Sequence, residues 1–305
     1  MKIAVASDNS KWVIDEIVKD YRKYSSHKVV DIDEKADLAW VPSLWTFKNI
    51  YSSIRASKIV LQVHHIETDK IKEYNFGFFN KHVVAYIVPN FFTKATLTKY
   101  TDKPIYLFPY WLLSSRTTPK DEKRIMALKK AIGEGILIGS FQKDSVYDTN
   151  RPKLCKGPDV FLSIVKKLHK DYPIKVILSG HSRKYLIQNL KESKVPYFYA
   201  KDCLDINTLY DCLDWYFVTS RIEGGPQSVL ECAHRRVKIL STKVGMSSMV
   251  LDKDCICLDE GDFIQKFKDN LDRRDRNEYN IKEFCPDVMI KKWDNSFKDI
   301  NEGCF

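Results

Sequence analysis

The chain alternates short β-branched and aromatic runs with helix-length amphipathic segments, and this alternation constrains its fold more than any other feature. Runs such as 174–178 (Ile-Lys-Val-Ile-Leu) are apolar almost throughout, as expected of strands covered on both faces of a parallel sheet. The runs lie at 2–7, 28–32, 37–41, 58–63, 83–88 and 104–108, and then at 135–140, 174–179, 195–199, 214–219, 237–241 and 255–258. The pattern predicts an α/β chain of two Rossmann-like, doubly wound domains that face a cleft.

A polar connection separates the two halves. It spans residues 112–130, and its most linker-like stretch is Ser-Ser-Arg-Thr-Thr-Pro at 114–119. We expect an N-terminal domain at 1–115 and a C-terminal domain at 131–287. Because ligands of doubly wound sheets bind beyond the carboxyl ends of the strands, the loops that follow the predicted strands should carry the site.

Charge and composition give a softer indication of function. The formal net charge is +10, and a basic surface attracts phosphorylated ligands, nucleic acid or anionic membrane without choosing among them. No apolar run reaches the roughly 20 residues that a membrane-spanning helix needs, and residues 7–10 are too polar for a signal peptide. The eight cysteines show neither zinc nor disulfide spacing. We expect a cytoplasmic protein with reduced thiols, and peripheral membrane contact stays open.

The common chemistries of Rossmann-like proteins lack their motifs here. The Gly-x-Gly at Gly133 and Gly135 precedes its strand and has no third glycine, which argues against a dinucleotide-binding fingerprint. There is no P-loop and no Gly-x-Ser-x-Gly nucleophile elbow. Asp31 and Asp33 could hold a divalent metal on a diphosphate. A solvated loop or a ribose contact explains them better, so we assign no metal site.

The most informative segment runs from a buried strand into a glycine turn and then a helix. Residues 220–226 read Ser-Arg-Ile-Glu-Gly-Gly-Pro and follow the strand predicted at 214–219. Gly224 and Gly225 allow a ligand to approach the backbone closely and leave amide N–H groups unshielded. Pro226 suits the first position of a helix, whose positive N-terminal end favours phosphate or sugar oxygens.

Two carboxylates flank this turn. Glu223 precedes the helix and Glu231 lies about two turns into it, so one can reach a sugar hydroxyl and the other a ribose. A carboxylate suits both tasks because it accepts two hydroxyl hydrogen bonds at once. The structural alternatives are a helix cap for Glu223 and a surface position for Glu231.

Glu223 and Glu231, with seven residues between them and Gly-Gly-Pro after the first, resemble the donor-site motif of retaining GT-B glycosyltransferases of family four. Similar flanking segments lie at 138–143, 156–159 (Lys-Gly-Pro-Asp), 176–180, 209–214 and 239–246. The resemblance is specific over 135–260 and only topological over 1–115. It implies that 288–305, with Trp293, forms a C-terminal helix that crosses back to the first domain.

The resemblance implies a role for each matching residue. Glu223 would hold the transferred sugar, and Lys156 would bind the donor diphosphate. Lys143 stands in the place of the family's usual arginine, with Arg151 as the alternative second cation. The donor-binding residues implied are Lys143, Arg151, Gly224, Gly225, Pro226, Gln227, Ser228 and Glu231, with 199–203 at the base. Since preorganised cations stabilise a departing diphosphate, no metal or cofactor is expected beyond a UDP- or GDP-sugar.

Two adjacent histidines, His64 and His65, follow the strand predicted at 58–63. The family places a histidine there, against the transferred sugar. Because side chains alternate along a strand, only one of the two should face the cleft. We favour His65 and keep both as catalytic candidates. No Ser-His-Asp or Cys-His set occurs, which fits a family mechanism without a protein nucleophile.

The sequence departs from the family pattern in three places. The loop at 7–11 lacks a glycine pair, Arg236 and Lys238 stand where glycine and proline are common, and the acceptor-reading half is short. The expected function is transfer of a sugar to a glycan or glycolipid hydroxyl, in polysaccharide biosynthesis. Two alternatives stay open. One is transfer to modified nucleic-acid bases, not favoured because no nucleic-acid module is recognisable. The other is a non-catalytic sugar-nucleotide binding protein.

Overall fold

The structure is a computed structural model that describes residues 1–7, 13–147, 149–201 and 205–303. In these residues the strands are β1 (Lys2–Val5), β2 (Lys28–Asp31), β3 (Leu38–Val41), β4 (Lys58–Gln62), β5 (Ala85–Val88), β6 (Ile105–Leu107), β7 (Ile136–Ser140), β8 (Ile174–Ser179), β9 (Tyr197–Ala200), β10 (Trp215–Val218), β11 (Lys238–Thr242) and β12 (Ile256–Cys257). Each of the predicted runs overlaps one of these strands.

The α-helices of the same residues alternate with the strands. They are α1 (Val13–Tyr24), α2 (Leu44–Ile50), α3 (Phe76–His82), α4 (Phe91–Leu97), α5 (Glu122–Ile132), α6 (Pro158–Leu168), α7 (Lys184–Glu192), α8 (Ile206–Cys212), α9 (Gln227–Arg235), α10 (Ser247–Val250), α11 (Glu260–Lys268), α12 (Arg274–Asn280) and α13 (Pro286–Glu302). No helix within the described ranges combines the length and the apolar character needed to cross a bilayer.

The chain divides into two compact units. The first unit comprises Met1–Ser115 and Glu283–Phe305, and the second comprises Arg116–Lys282. Of the polar stretch at 112–130, read from the sequence as a connection, residues 116–130 belong to the second unit and include most of α5.

The first unit is built on a parallel sheet of order β2-β1-β3-β4-β5-β6. All residues of β3 and β5 are buried, as expected of central strands with helices on both faces. The order begins 2-1-3-4-5, the flavodoxin-like variant of the doubly wound fold, whose switch point lies between β1 and β3.

Helix α13 completes the first unit through an aromatic cluster. The Trp293 ring lies 5.2 Å from the Trp40 ring and 4.8 Å from that of Phe108, both nearly edge to face. The next residue, Asp294, is buried and accepts hydrogen bonds of 2.8 Å from the Tyr21 hydroxyl and from Ser25 Oγ. Buried aromatic area and a fully bonded carboxylate together fix this helix on the unit.

The second unit is built on a parallel sheet of order β12-β11-β10-β7-β8-β9. Numbered within the unit this is 6-5-4-1-2-3, the Rossmann order, and its switch point lies between β7 and β10. Strand β10 is wholly buried, with Phe217 packed between Phe161 and Phe263. The loops after β7 and β10 therefore open at the crevice where such sheets bind ligands.

Candidate functional site

The second unit places a partly buried ion pair at its switch point. Lys156 Nζ lies 2.6 Å from Glu223 Oε2, and the side chains are 18% and 8% exposed. Lys156 ends the short 3₁₀ helix Leu154–Lys156 before α6, whereas Glu223 lies in the loop after β10. Two residues far apart in sequence thus meet at the carboxyl edge of the sheet. Removing either partner would leave the other charge partly buried and unpaired, which is costly.

A polar contact holds the other oxygen of Glu223. Ser220 Oγ lies 3.0 Å from Glu223 Oε1 and 3.0 Å from Gln142 Oε1, so its one proton serves two acceptors. Gln142 Nε2 donates to the Lys156 carbonyl over 2.9 Å. Gln142 follows β7, and Ser220 follows β10. The loops of the two strands at the switch point are therefore tied together around Glu223.

Lysines gather beside this pair. The pKa of Lys143 is lowered, first by burial and then by the charges of Lys153 and Lys156. Mutual repulsion among cations marks a place that an anion would stabilise. Lys153 had no assigned role in the sequence analysis. Arg151, the alternative cation, lies two residues away and is exposed.

Glycines at positive φ let the backbone pack closely behind the site. At Gly157, with φ of 61°, a Cβ would lie 1.9 Å from the Thr219 carbonyl oxygen. At Gly245, with φ of 53°, a Cβ would lie 2.4 Å from the Gly225 carbonyl oxygen. That carbonyl accepts a hydrogen bond of 2.6 Å from the Met246 amide. Only glycine fits either position, so both support the shape of the loop at 220–226.

Helix α9 begins one residue later than expected. Pro226 has φ of −74° and ψ of 144°, which makes it the N-cap residue and not the first helical residue, and the peptide before it is cis. Gln227 and Ser228 form the first turn, and Ser228 hydrogen-bonds the Tyr216 hydroxyl. Gly224 is buried and Gly225 half-buried just before this N-terminus.

Glu231 is buried and not at the surface. Its Oε1 accepts from Arg116 Nε over 2.8 Å, and its Oε2 accepts from the Tyr210 hydroxyl over 2.6 Å. Burial and the Glu231 charge hold the pKa of Tyr210 well above its usual range. The sequence offered no signal for Arg116, which lies in the polar stretch read as a connection.

A second ion pair missed by the sequence analysis anchors the same loop. Arg221 holds Asp159 of α6 through two bonds of 2.8 and 2.6 Å. Its amide and that of Ile222 also donate to the Cys155 carbonyl. The side chain that precedes the glycine turn therefore fastens the loop to the segment that carries Lys156.

The two candidate histidines lie in the first unit. Strand β4 ends at Gln62, so strand alternation does not apply at 64 and 65, and both residues line one cavity of about 630 Å³. His64 Nδ1 bonds the Tyr110 hydroxyl, and burial together with His65 lowers the pKa of His64 to about 4. His65 Nε2 lies 4.0 Å from Glu67 Oε1.

The remaining predicted positions are the possible metal-binding aspartates, the base edge and the first loop. Asp31 is exposed and pairs with Arg22 over 2.6 Å. No group of three or more His, Cys, Asp or Glu side chains with metal-binding geometry occurs among the described residues. The predicted base edge at 199–203 includes Asp202 and Cys203, which lie outside the described residues, as do residues 8–11 of the first loop.

Solved structures share this two-domain GT-B fold. The structure of the Anabaena protein HepE with UDP and glucose matches with a TM-score of 0.78 at 10% identity, covering 98% of this chain and 100% of that chain. A glycosyltransferase from Rickettsia africae matches at 0.66 and 14%, covering 97% and 84%. Sucrose-phosphate synthase from Thermosynechococcus elongatus matches at 0.67 and 9%, covering 88% and 74%. No family model matches the chain, and no curated protein matches its sequence.

Proposed function

We propose that the protein is a glycosyltransferase that moves a sugar from a UDP- or GDP-sugar to a hydroxyl of a glycan or glycolipid, with retention at the anomeric carbon. The observation that carries the proposal is the Lys156–Glu223 pair at the switch point of the second unit. A carboxylate and a cation 2.6 Å apart suit a ligand that presents hydroxyls and phosphate side by side. A nucleotide sugar has this arrangement.

The lysines would stabilise the leaving group. When the bond from the anomeric carbon to the diphosphate breaks, negative charge builds up on the diphosphate oxygens. Lys156, with Lys143 nearby, would meet that charge without moving, which is the condition for effective electrostatic catalysis. Arg151 remains the alternative second cation. The proposed reaction uses no metal and no cofactor other than the donor.

The neighbouring groups would orient the donor. Glu223 would accept hydrogen bonds from sugar hydroxyls, with the amides of Gly224 and Gly225 donating to the sugar. The N-terminus of α9, opened by Pro226, Gln227 and Ser228, would face the donor with its positive end. Glu231, fixed by Arg116 and Tyr210, would accept from the ribose hydroxyls. A carboxylate oxygen that already accepts one bond keeps a lone pair for a second.

The first unit would bind the acceptor substrate and would carry the catalytic histidine. We keep His65 as the catalytic candidate in preference to His64, since His64 bonds Tyr110 and stays neutral above about pH 4. The retaining course would need no protein nucleophile. The acceptor would attack from the face that the diphosphate leaves, and the leaving phosphate would take the acceptor proton.

The free cysteine thiols support a cytoplasmic location. The described cysteines at 155, 212, 232, 255, 257 and 285 are free thiols, as in a reducing compartment, so we propose a cytoplasmic enzyme of polysaccharide biosynthesis. The fold is shared with HepE, whose structures contain UDP, glucose and UDP-glucose. UDP-glucose is therefore the first donor to test.

The test is a thermal-shift and hydrolysis screen with UDP-, GDP-, ADP- and dTDP-sugars in EDTA. We expect one nucleotide at millimolar concentration to raise the melting temperature of the protein and not that of Glu231→Ala. If no nucleotide does so, the proposal is wrong. NMR of the product reads the anomeric configuration, and an inverted product would exclude the retaining course.

A further inference from the structure

The loops that follow β7 and β8 in the second unit enclose a fully buried ion pair. Arg183 Nε lies 3.1 Å from Asp144 Oδ2, and the two side chains are 0% and 1% exposed. Arg183 Nη2 also donates to the Ser140 carbonyl over 2.6 Å. Burial raises the pKa of Asp144 and lowers that of Arg183. Because the cost of taking two charges out of water offsets much of their attraction, such a pair adds little to stability by itself.

Asp144 fixes the loop after β7 through its backbone as well as its side chain. Its amide donates to the Ser182 carbonyl over 3.1 Å, and its carbonyl accepts from the Lys153 amide over 2.8 Å. Its Oδ1 accepts from Ser145 Oγ over 2.8 Å and from the Leu186 amide, in the first turn of α7, over 3.3 Å. Asp144 thus joins the loop after β7 to the loop after β8 and to the start of α7.

The two contacts of Arg183 bracket a short segment of the loop after β7. Arg183 holds the Ser140 carbonyl at one end of the segment and the Asp144 carboxylate at the other. Gln142 and Lys143 lie between these two points. A guanidinium is a planar fork of donors, so it fixes direction as well as distance. The position of Gln142 and Lys143 relative to β7 is therefore set by one buried side chain.

The lysine cluster, formed by Lys143, Lys153 and Lys156, needs an anchor because its members repel one another. The charges of Lys153 and Lys156 add to burial in lowering the pKa of Lys143, and Lys156 is itself paired with Glu223. Ammonium groups that were free to move would separate to reduce this repulsion. Asp144 opposes the separation, since it adjoins Lys143 in the chain and its carbonyl binds the Lys153 amide.

We propose that Arg183 and Asp144 are positioning residues that hold the lysine cluster together for the diphosphate of the donor. Neither side chain is accessible to a ligand, so both act through the residues that they hold. Cations that are kept close together before an anion arrives stabilise it without the cost of rearrangement. That the anion is a donor diphosphate rests on the proposed function, whereas the hold on Lys143 and Lys153 does not.

The test replaces the pair with apolar residues. Arg183→Met combined with Asp144→Leu removes both charges together, so neither is left buried and unpaired, and we expect the double variant to fold with a Tm close to that of the wild type. Its affinity for UDP, measured by calorimetry, should fall about tenfold, as when one charged contact with a ligand is lost. Arg183→Lys, which keeps the charge but not the planar fork, should lose less.

A second measurement needs no ligand. Methylation of the lysines with isotopically labelled formaldehyde lets NMR follow their titration, and Lys143→Arg assigns the signal of Lys143. We expect its midpoint to move to higher pH in the double variant, because Lys153 and Lys156 can then move away from it. Arg235→Met combined with Asp211→Leu is the matched control, since that pair is also 3.1 Å apart and its side chains are 3% and 2% exposed. It should leave the midpoint unchanged.

The two measurements separate this inference from the proposed function. A double variant with the wild-type affinity for UDP and the wild-type midpoint of Lys143 would overturn the inference and leave the pair a structural role alone. If the double variant does not fold, Arg183→Lys takes its place, and wild-type values of both quantities there would equally refute the positioning role. A raised midpoint of Lys143 in a protein that binds no nucleotide even as wild type would support the positioning role and refute the proposed function.

Discussion

The two units are built on the same kind of six-stranded parallel sheet, but the side chains at the carboxyl edges of the two sheets differ in charge. The second unit has ion pairs there, Lys156 with Glu223 and Arg116 with Glu231. The first unit has a neutral histidine, an exposed indole and a cavity in which carboxylates outnumber ammonium groups. The fold fixes where a ligand binds, and the side chains at that edge determine what kind of ligand it is.

This difference shows which part of the molecule gives the positive net charge a role in ligand binding. A charge of +10 predicts an anionic ligand without saying where it binds. The lysines at 143, 153 and 156 concentrate positive charge at the carboxyl edge of the second sheet. The cavity of the first unit has no such cluster of lysines among its described lining residues. We therefore expect the phosphate groups of a substrate to bind at the lysine cluster of the second unit.

The largest expected effect is the loss of Lys156. Lys156→Ala removes the cation beside the leaving diphosphate and leaves buried Glu223 without its partner. We expect kcat to fall roughly 10²–10³-fold, as when one preorganised charge donor is removed. Steady-state kinetics with UDP-glucose measures it. Lys166→Ala, an exposed lysine of α6, is the matched control. Equal activity in the two variants would place the diphosphate elsewhere.

A smaller effect is expected at Arg116, which positions Glu231. Arg116→Ala should raise the donor KM roughly tenfold with little change in kcat, because it removes one charged hydrogen bond from the proposed ribose acceptor. Arg116→Lys should restore part of the affinity. Tyr210→Phe, which removes the other bond to Glu231, should act in the same direction.

The ribose assignment has its own control. UDP should bind more tightly than 2′-deoxy-UDP in the wild type, and this preference should shrink in Arg116→Ala but not in Arg124→Ala, which changes an exposed arginine of α5. Isothermal titration calorimetry gives both affinities. An unchanged preference in Arg116→Ala would mean that Glu231 does not read the ribose.

A pH effect is expected at Lys143. Its pKa is lowered by burial and by Lys153 and Lys156, so it loses its proton, and its attraction for diphosphate, at a lower pH than an exposed lysine. UDP affinity should therefore decline as pH rises into the alkaline range, and Lys143→Arg should remove most of that decline because arginine stays charged. Calorimetry in buffers of different ionisation enthalpy would also detect proton uptake on binding to the wild type. The same slope in both proteins would contradict the assignment.

The sequence predicted the sheets well because their signals are local. Runs such as 174–179 are apolar except at Lys175 and Ser179, and their spacing predicted crossover helices. Strand order is a different matter, since nothing local distinguishes the 2-1-3 start of the first sheet from the Rossmann order of the second.

The loop of the candidate site was predictable because its residues are contiguous, whereas its contacts with residues distant in sequence were missed. The turn around Glu223 was found from its own residues. Arg116 reaches Glu231 across 115 positions, and Arg221 reaches Asp159 across 62, so neither pair has a local pattern. The histidines show the opposite failure. The prediction that only one of them faces the cleft assumed that side chains alternate along a strand. Strand β4 ends at Gln62, so this alternation does not extend to His64 and His65.

The smallest expected effect concerns His64 and separates the two histidines. Its pKa is about 4 in the folded protein against 6.5 for an ordinary histidine, because burial and His65 disfavour the charged form. The unfolded chain then binds a proton that the folded one does not between these values, so folding stability is lost as pH falls from 6.5 towards 4. In His64→Gln, urea unfolding across this range should show a weaker loss of stability. NMR titration of the wild type should give His64 a midpoint near 4, and a midpoint near 6.5 would contradict the burial of its ring and remove the reason for preferring His65.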